Sequence, residues 1–124
     1  MKFPYPDSLR ISVQALQERL AEDLNILCVR EVSTVADYFV LATANSAPHL
    51  MALSEEVTQA CKRERLKGGR KGGQPQSGWI VVDFGTVLVH IMTRELREFY
   101  ALEKLWSDAK TLAVNALLAE TADA

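Results

Sequence analysis

The chain has 124 residues, of which 48% are hydrophobic and 24% charged, and its formal net charge is −2 at pH 7. This length and composition are typical of one globular domain with a real core, so they exclude a disordered chain and a two-lobed enzyme such as a protein kinase. The negative charge excludes a global positive field that would attract nucleic acid or an anionic membrane, so any contact with RNA has to be local.

The first half of the chain predicts a helix, two strands and a second helix. The first helix is predicted to begin at Asp7 or Ser8, and its apolar stripe repeats at helical spacing: Leu9, Val13, Leu16 and Leu20. Residues 25–32 and 37–43 are predicted as strands, and the second of these is apolar on both faces, which indicates a sheet covered on both sides. A second helix is predicted to begin near Ser46, with Pro48 in its first turn.

The second half predicts a loop, a hairpin and further helix. Residues 67–77 contain four glycines and no apolar residue, so a flexible basic loop is expected. Two β-branched runs at 79–83 and 87–92 predict a hairpin in which Gly85 takes a positive φ. Thr93 is predicted to cap a helix that continues to a frayed tail over residues 119–124.

Six of the fourteen basic residues lie between positions 62 and 71. The glycines among them do not form a phosphate-binding loop, because no Lys-Ser/Thr pair is present and the segment follows a helix instead of a strand. Two interpretations stay open: a mobile loop that contacts an RNA backbone through Arg70 and Lys71, or a solvated connector.

No catalytic constellation is recognisable. Asp83, Phe84 and Gly85 spell the magnesium-binding tripeptide of protein kinases, but the other kinase motifs are missing, so a turn is predicted. Asp37 and Asp83, with Glu31, would suit a metal-dependent nucleotidyltransferase, yet that chemistry usually needs two acids two residues apart on one strand. His49 and His90 are predicted as hydrogen-bonded structural histidines. These patterns favour turn and structural roles for these residues, with a metal-dependent transferase as the less favoured alternative.

The two cysteines, Cys28 and Cys61, have no CxxC or histidine neighbourhood and are predicted as buried free thiols. The N-terminus carries no apolar signal-peptide core, and no apolar run approaches the length of a membrane helix. A reducing cytoplasm is the expected location.

Aromatic residues cluster near the C-terminus. On an ideal helix Phe99, Leu102 and Trp106 share one stripe and Tyr100 lies beside it, while a break near Ala101 would turn more of these side chains outward. Core packing is one interpretation and is expected mainly for Phe99 and Leu105. A partner-binding surface is the other, because Trp and Tyr commonly anchor interfaces.

Three segments resemble, in order and spacing, the Iojap-related family of ribosomal silencing factors (RsfS). They are ADYFVLAT at 36–43, GWIVVDFGTVLVHIM at 78–92 and REFYALEKLWSDA at 97–109. The resemblance spans residues 8–110 and implies a single small α/β domain, with a mixed sheet flanked by helices. It also implies a fold that is nucleotidyltransferase-like without the catalytic acids.

The same resemblance implies a non-enzymatic protein, without metal or cofactor, that binds the large ribosomal subunit through large-subunit ribosomal protein fourteen. Docking at the intersubunit face would hinder subunit joining and repress translation under nutrient limitation. Two alternatives stay open: a metal-dependent nucleotidyltransferase-like enzyme, and an RNA-binding, ribosome-associated adaptor with a local contact to ribosomal RNA. A homodimer is an alternative form of the free protein, and no membrane contact is expected.

The family's motif assigns partner binding to seven residues: Trp79, Arg97, Tyr100, Leu102, Glu103, Leu105 and Trp106. It assigns supporting roles to Asp83, Gly85 and His90. Two positions depart from the family's usual pattern, Pro48 beside the start of the second helix and Thr86 after the hairpin glycine.

Overall fold

The computed structural model describes residues 5–122, which form one mixed sheet with helices on both faces. The strands are β1 (Glu22–Cys28), β2 (Tyr38–Ala44), β3 (Arg70–Gln74), β4 (Trp79–Asp83), β5 (Val87–Thr93) and β6 (Lys110–Leu112). The helices are α1 (Asp7–Glu18), α2 (Ala47–Arg63), α3 (Arg94–Tyr100), α4 (Leu102–Leu105) and α5 (Val114–Ala122). The predicted fold class, a small α/β domain with a mixed sheet, is confirmed.

The sheet has the strand order β3-β4-β5-β2-β1-β6. Strands β2 and β5 run parallel, and every other neighbouring pair is antiparallel. Each residue of β2 is buried, as its apolar sequence predicts for a central strand covered on both faces.

Helices α1, α2 and α5 cover one face of the sheet and enclose the larger part of the core. Ser46 caps α2, because its Oγ accepts a hydrogen bond from the His49 backbone N–H at 3.1 Å, and Pro48 stands in the first turn. The His49 ring accepts from the Asn45 N–H at 3.0 Å through Nδ1, so Nε2 carries the proton that it donates to the Arg19 carbonyl at 2.9 Å. The predicted structural role of His49 is confirmed.

The opposite face is covered by a smaller layer made of α3, α4 and the residues that follow them. Its buried cluster contains Leu27, Val29, Ala36, Phe39, Leu41, Met92 and Leu102, with Trp79, Leu88, Leu96 and Trp106 half-buried around it. This layer leaves part of the β3–β4 region uncovered, and the candidate site lies there.

Strand β1 covers residues 22–28 and not the predicted 25–32. It begins with an irregularity, because the register against β2 shifts between Glu22 and Asn25 and Asp23 has φ +47°. It ends early because the chain turns after Val29, whose carbonyl accepts hydrogen bonds from the Val32 N–H at 3.0 Å and the Ser33 N–H at 2.8 Å. The polar residues of the bulge hide this start of the strand from a search for apolar alternation.

The prediction of a flexible loop over residues 67–77 is wrong for the central part of this segment, where residues 70–74 form β3. This strand pairs with β4 from Arg70 opposite Asp83 to Gln74 opposite Trp79. A Cβ added at Gly73, which has φ +93°, would lie 2.3 Å from the Trp79 carbonyl oxygen, so only glycine fits here. Backbone pairing alone holds β3 in place, and hydrophobic periodicity gives no sign of it.

The prediction that the helix continues after residue 101 is also wrong. Ala101 has φ +46° and ends α3, so the chain breaks at the position where the sequence indicated a break only as an alternative. The chain then forms β6, with Thr111 opposite Leu27, and afterwards α5, which places Leu117 in the core. The folded domain therefore extends beyond residue 110, and α5 occupies most of the predicted frayed tail, of which residues 123–124 lie outside the described part.

Cys61 is buried and burial raises the pKa of its thiol, whereas Cys28 is only half-buried, so the prediction that both are buried is wrong for Cys28. Both thiols are free. Within residues 5–122, no helix is long and apolar enough to cross a bilayer.

Candidate functional site

The Asp-Phe-Gly tripeptide is the turn between β4 and β5. The Asp83 carboxylate accepts a hydrogen bond from the Gly85 N–H at 2.7 Å, and Gly85 has φ +83°. Because this geometry satisfies the carboxylate locally, Asp83 acts as a turn residue. The hairpin positions Trp79 at its start, next to the helical layer.

Three aromatic side chains form a contiguous group that we call the aromatic surface: the half-buried Trp79 and the exposed Phe99 and Tyr100. The ring centroids of Trp79 and Tyr100 are 4.9 Å apart, and those of Phe99 and Tyr100 are 5.0 Å apart. Phe99 is 73% exposed and Tyr100 49% exposed, while Leu105 on the following helix is 71% exposed. A contiguous exposed apolar patch that contains aromatic side chains is typical of an interaction site.

A second row of rings lies beneath this surface. The Trp79 Nε1–H donates to Nδ1 of His90 at 3.3 Å. The His90 ring also packs edge to face against Phe39, with 5.1 Å between the ring centroids. Phe39 in turn packs against the half-buried Trp106, with 5.3 Å between the ring centroids. The row fixes Trp79 from below, so the aromatic surface rests on a packed support.

His90 is neutral in this packing. It is 8% exposed, and burial lowers its pKa from 6.5 to about 4. Since Nδ1 accepts from Trp79, the proton of the neutral ring lies on Nε2, which has no hydrogen-bond partner among the described residues.

Arg97 joins α3 to the edge of the sheet and to α4. Its guanidinium donates to the Thr43 hydroxyl at 2.9 Å, to the Glu103 carboxylate at 2.7 Å and to the carbonyl of Asp23. The side chain is only 11% exposed. Burial alone would raise the pKa of Glu103, but the hydrogen bond and charge of Arg97, together with hydrogen bonds from the backbone and from Asn25, lower that pKa. The pair therefore holds α4 in position.

A cavity of about 340 Å³ opens beside the aromatic surface, between β3, β4 and α3. Trp79, Leu96 and Tyr100 wall it, and Val81 and Gly72 lie at its base. Gly72 stands opposite Val81 on the same face, and a Cβ built there meets nothing within 4 Å. The missing side chain of Gly72 therefore leaves the sheet bare and creates the opening.

A larger cleft of about 560 Å³ lies on the other side of α3, and its lining is charged. Arg94 bridges the carboxylates of Glu22 at 2.8 Å and Asp23 at 2.9 Å at its edge. Arg97 and Glu103 pair within the same lining. Since acids and bases of this cleft mostly neutralise one another, it offers no strong preference for a charged ligand.

The structure separates the seven predicted partner-binding residues into three groups. Tyr100, Leu105 and, in part, Trp79 reach the surface, whereas Leu102 is buried and Trp106 half-buried. Arg97 and Glu103 are joined to each other beside them.

Phe99, which had no place among the predicted partner-binding residues, is the most exposed aromatic ring among residues 5–122. The expectation of core packing for Phe99 and Leu105 is wrong, because the left-handed Ala101 rotates α4 relative to α3. The alternative interpretation of the sequence, a break near Ala101 that turns side chains outward, is the one that matches the exposure of both residues.

The acidic residues considered for a metal site are not brought together. Asp83 is used in the hairpin turn, and the Asp37 carboxylate lies 3.9 Å from the Arg30 guanidinium. In the part of the chain that the structure describes, no group of three His, Cys, Asp or Glu side chains could hold a metal ion. Arg70 and Lys71 lie on β3, at the sheet edge beyond the cavity.

Comparison with known proteins identifies relatives over most of the chain. Residues 3–124 match the sequence profile described as "Ribosomal silencing factor during starvation". A ribosomal silencing factor from Halalkalibacterium halodurans is 30% identical over 110 residues, which are 89% of this chain and 94% of that protein. The mouse protein named "Mitochondrial assembly of ribosomal large subunit protein 1" is 32% identical over 77% of this chain and 43% of its own length. A crystal structure from Chromobacterium violaceum has a TM-score of 0.77 at 25% identity, covering 82% of this chain and 84% of that one.

Proposed function

This chain belongs to the family of ribosomal silencing factors that act during starvation, and from that premise we propose that it represses translation by docking on the large ribosomal subunit. The docking partner in this proposal is large-subunit ribosomal protein fourteen, at the intersubunit face. The bulk of the factor then hinders the small subunit from joining. The observation that carries the proposal is the exposed aromatic surface beside an open apolar cavity.

The names of the relatives support a regulatory function on the ribosome. The Halalkalibacterium relative is named a ribosomal silencing factor, and the mouse relative is named for assembly of the mitochondrial large subunit. A mechanism by steric exclusion needs no chemistry from the factor, only an interface and volume. A standard interface buries roughly 800 Å² on each partner, which a domain of this size can supply from one face.

Within the proposal, the residues divide by exposure into contact and support. Tyr100, Phe99 and Leu105 are exposed enough to be buried by a partner, and Trp79 forms the wall of the cavity that a partner side chain would enter. Glu103, with 37% of its side chain exposed, supplies a charged rim. The remaining residues of the motif hold this arrangement from behind: Arg97, Leu102 and Trp106.

The first test removes the contact side chains. Tyr100→Ala is expected to weaken binding to purified large subunits by about 10- to 100-fold, because an aromatic anchor at an interface contributes about 1–3 kcal/mol. Leu105→Ala is expected to weaken binding in the same direction by a smaller factor. Co-sedimentation with separated subunits in a sucrose gradient measures the effect, and subunit joining measured by light scattering should recover in parallel.

Met51→Ala is the matched control, because Met51 is similarly exposed but lies on α2, on the other face of the sheet. It should bind as the unmodified protein does. If the double variant Tyr100→Ala/Leu105→Ala co-sedimented as strongly as Met51→Ala, the proposed surface would be wrong.

The second test fills the cavity without removing any contact. Gly72→Trp is expected to fold normally, because a Cβ at this position meets open space and Trp is favourable in a strand. Its indole would occupy the cavity that Trp79, Tyr100 and Leu96 line, and would lower affinity for large subunits by at least about 10-fold. Gly72→Ala is the control, since a methyl group leaves most of the cavity open. Unchanged affinity of a stably folded Gly72→Trp would place the cavity outside the interface.

A further inference from the structure

A short exposed segment concentrates the positive charge of this acidic protein. Residues 62–71 contain six basic residues and one acid, Glu64, and so carry a net charge of +5; the rest of the chain carries −7. We call the six basic residues the basic edge, and all of them are exposed: Lys62, Arg63, Arg65, Lys67, Arg70 and Lys71.

Ordinary structural needs explain part of this charge. Lys62 and Arg63 lie in the last turn of α2, where cations complement the helix dipole, and Arg63 is paired with Glu56 at 3.2 Å. Lys71 lies on an edge strand, where lysine commonly prevents pairing with another sheet. Neither the helix dipole nor the protection of the strand edge explains Arg65 and Lys67, which lie between α2 and β3.

Several cations of the basic edge have no ion pair among residues 5–122: Lys62, Arg65, Lys67, Arg70 and Lys71. Arg70 stands opposite Asp83, but the Asp83 carboxylate accepts from the Gly85 N–H in the turn. These five cations lie within ten consecutive positions and have no ion pair in the described part of the chain, so an anion that contacts several of them would find charges that no acid there neutralises.

The segment is held in place, although its sequence predicts a flexible loop. The Leu66 N–H donates to the Cys61 carbonyl at 2.9 Å, and the Leu66 side chain packs against the main core. The Gly69 N–H donates to the Asp83 carbonyl at 2.9 Å, and β3 then pairs along its whole length with β4. Because the backbone between the charges is fixed, little further backbone ordering is needed when a ligand binds.

We propose that the basic edge is a second binding site, and that its ligand is the phosphate backbone of RNA. Arg70 and Lys71 are consecutive strand residues and project to opposite faces, so a phosphate approaching the open edge of β3 lies between the two. The outward N–H groups of an edge strand can donate to the same phosphate, and Gly72 leaves that approach unobstructed.

The distribution of charge favours RNA over the other anionic or edge-pairing partners. A second copy of this chain would place its own basic edge, with a net charge of +5, against that of the first copy, and the two would repel each other. An acidic peptide added as a strand to β3 would lie beside Arg70 and Lys71 only, and would leave Arg65 and Lys67 unpaired. A phosphodiester chain carries one charge for each nucleotide and can follow the whole segment.

This inference rests on the proposed function, since it is ribosomal RNA that a factor docked on the large subunit would meet. The aromatic surface would recognise the protein component, and the basic edge would fix the orientation of the factor through RNA. The aromatic surface is apolar and the basic edge is charged. Raising the salt concentration should therefore weaken binding through the basic edge much more than binding through the aromatic surface.

The test measures binding of the whole protein to a short duplex RNA and to purified large subunits over a range of potassium chloride concentrations. The variant Lys67→Gln/Arg70→Gln/Lys71→Gln is expected to reduce the slope of log affinity against log salt by about 2–3, and to lower RNA affinity at low salt by at least about 10-fold. The control is Lys110→Gln, an exposed lysine on β6 at the other edge of the sheet, which should keep the slope.

Equal salt slopes for the triple variant and the unmodified protein, on both ligands, would overturn the inference. It would also be overturned if the protein failed to bind RNA while polyglutamate competed for its salt-dependent binding to subunits, since the partner would then be an acidic protein. Failure of the proposed function looks different: Tyr100→Ala would leave binding to subunits unchanged while the triple variant still lost RNA binding. Equal melting temperatures of the variants exclude misfolding as the cause.

Discussion

Replacing Arg97 by alanine is expected to lower the free energy of unfolding by about 2–4 kcal/mol. The buried guanidinium donates to Thr43, to Glu103 and to the carbonyl of Asp23, and so joins two strands and two helices. Its removal leaves these acceptors without their donor, and Glu103 without the charge that lowers its pKa. Urea unfolding followed by circular dichroism at neutral pH measures the loss.

Arg94→Ala is a close control for this prediction, because Arg94 lies on the same helix and makes two ion pairs at comparable distances. Those pairs are solvent-exposed and screened, so their loss should change stability little. Arg97→Lys is also expected to destabilise, since one ammonium group cannot reproduce a planar guanidinium that reaches three acceptors. Equal stabilities of Arg94→Ala and Arg97→Ala would show that Arg97 does not hold the layer together.

The Arg97 variant is also expected to weaken binding to large subunits, although Arg97 itself is almost covered. When the hydrogen bond from Arg97 to Glu103 is missing, α4 loses an attachment that places Leu105 beside the aromatic surface. The loss of affinity should be smaller than that caused by Tyr100→Ala, since the contact side chains themselves are still present. A larger loss than that of Tyr100→Ala would indicate direct contact of Arg97 with the partner.

Lowering the pH from neutral is expected to destabilise the protein through His90, by about 2 kcal/mol at pH 5 and about 3 kcal/mol below pH 4. Burial lowers the pKa of His90 to about 4, whereas the unfolded chain keeps the ordinary value of 6.5. Between these values the unfolded state binds the proton and the folded state does not, so stability falls as pH falls through this window. The charged ring would have to enter an apolar cluster beside Phe39.

His90→Gln isolates this contribution, because the glutamine carbonyl can accept the Trp79 N–H and the side chain does not titrate. Unfolding free energies at pH 7, 6, 5 and 4 are expected to decline less for the variant than for the unmodified protein. The pKa of Glu103 is lowered in the folded protein, so the contribution of Glu103 to stability is lost as the pH falls through that lowered pKa. This loss is the same in both proteins. Parallel pH profiles of the two proteins would contradict a neutral, buried His90.

Much of the fold could be predicted because local physical requirements agree with the tertiary structure. The apolar run that became β2 is buried at every residue, and the Ser46 cap begins α2 as its position indicates. Gly85 turns the hairpin with a positive φ. In each case the residue type satisfies a requirement that neighbouring residues create.

The candidate site was predictable only in part. The aromatic residues near the C-terminus were identified together, but their exposure depends on the left-handed Ala101, which no preference of alanine indicates. The hydrogen bonds of Arg97 join residues distant in sequence, from Asp23 to Glu103, so no local pattern encodes them.

The sequence by itself determined the class of fold, the family and the residue types from which an interface could be built. Hydrophobic periodicity, turn glycines and the motif from Trp79 to Trp106 are sufficient for these conclusions, because they depend on local spacing. Only the tertiary structure decided which of those residues reach the surface, and that the glycine-rich segment is a fixed strand with its charges at the sheet edge. The reason is physical: β3 and β6 are held by backbone pairing with distant strands, and exposure is set by what packs above each side chain.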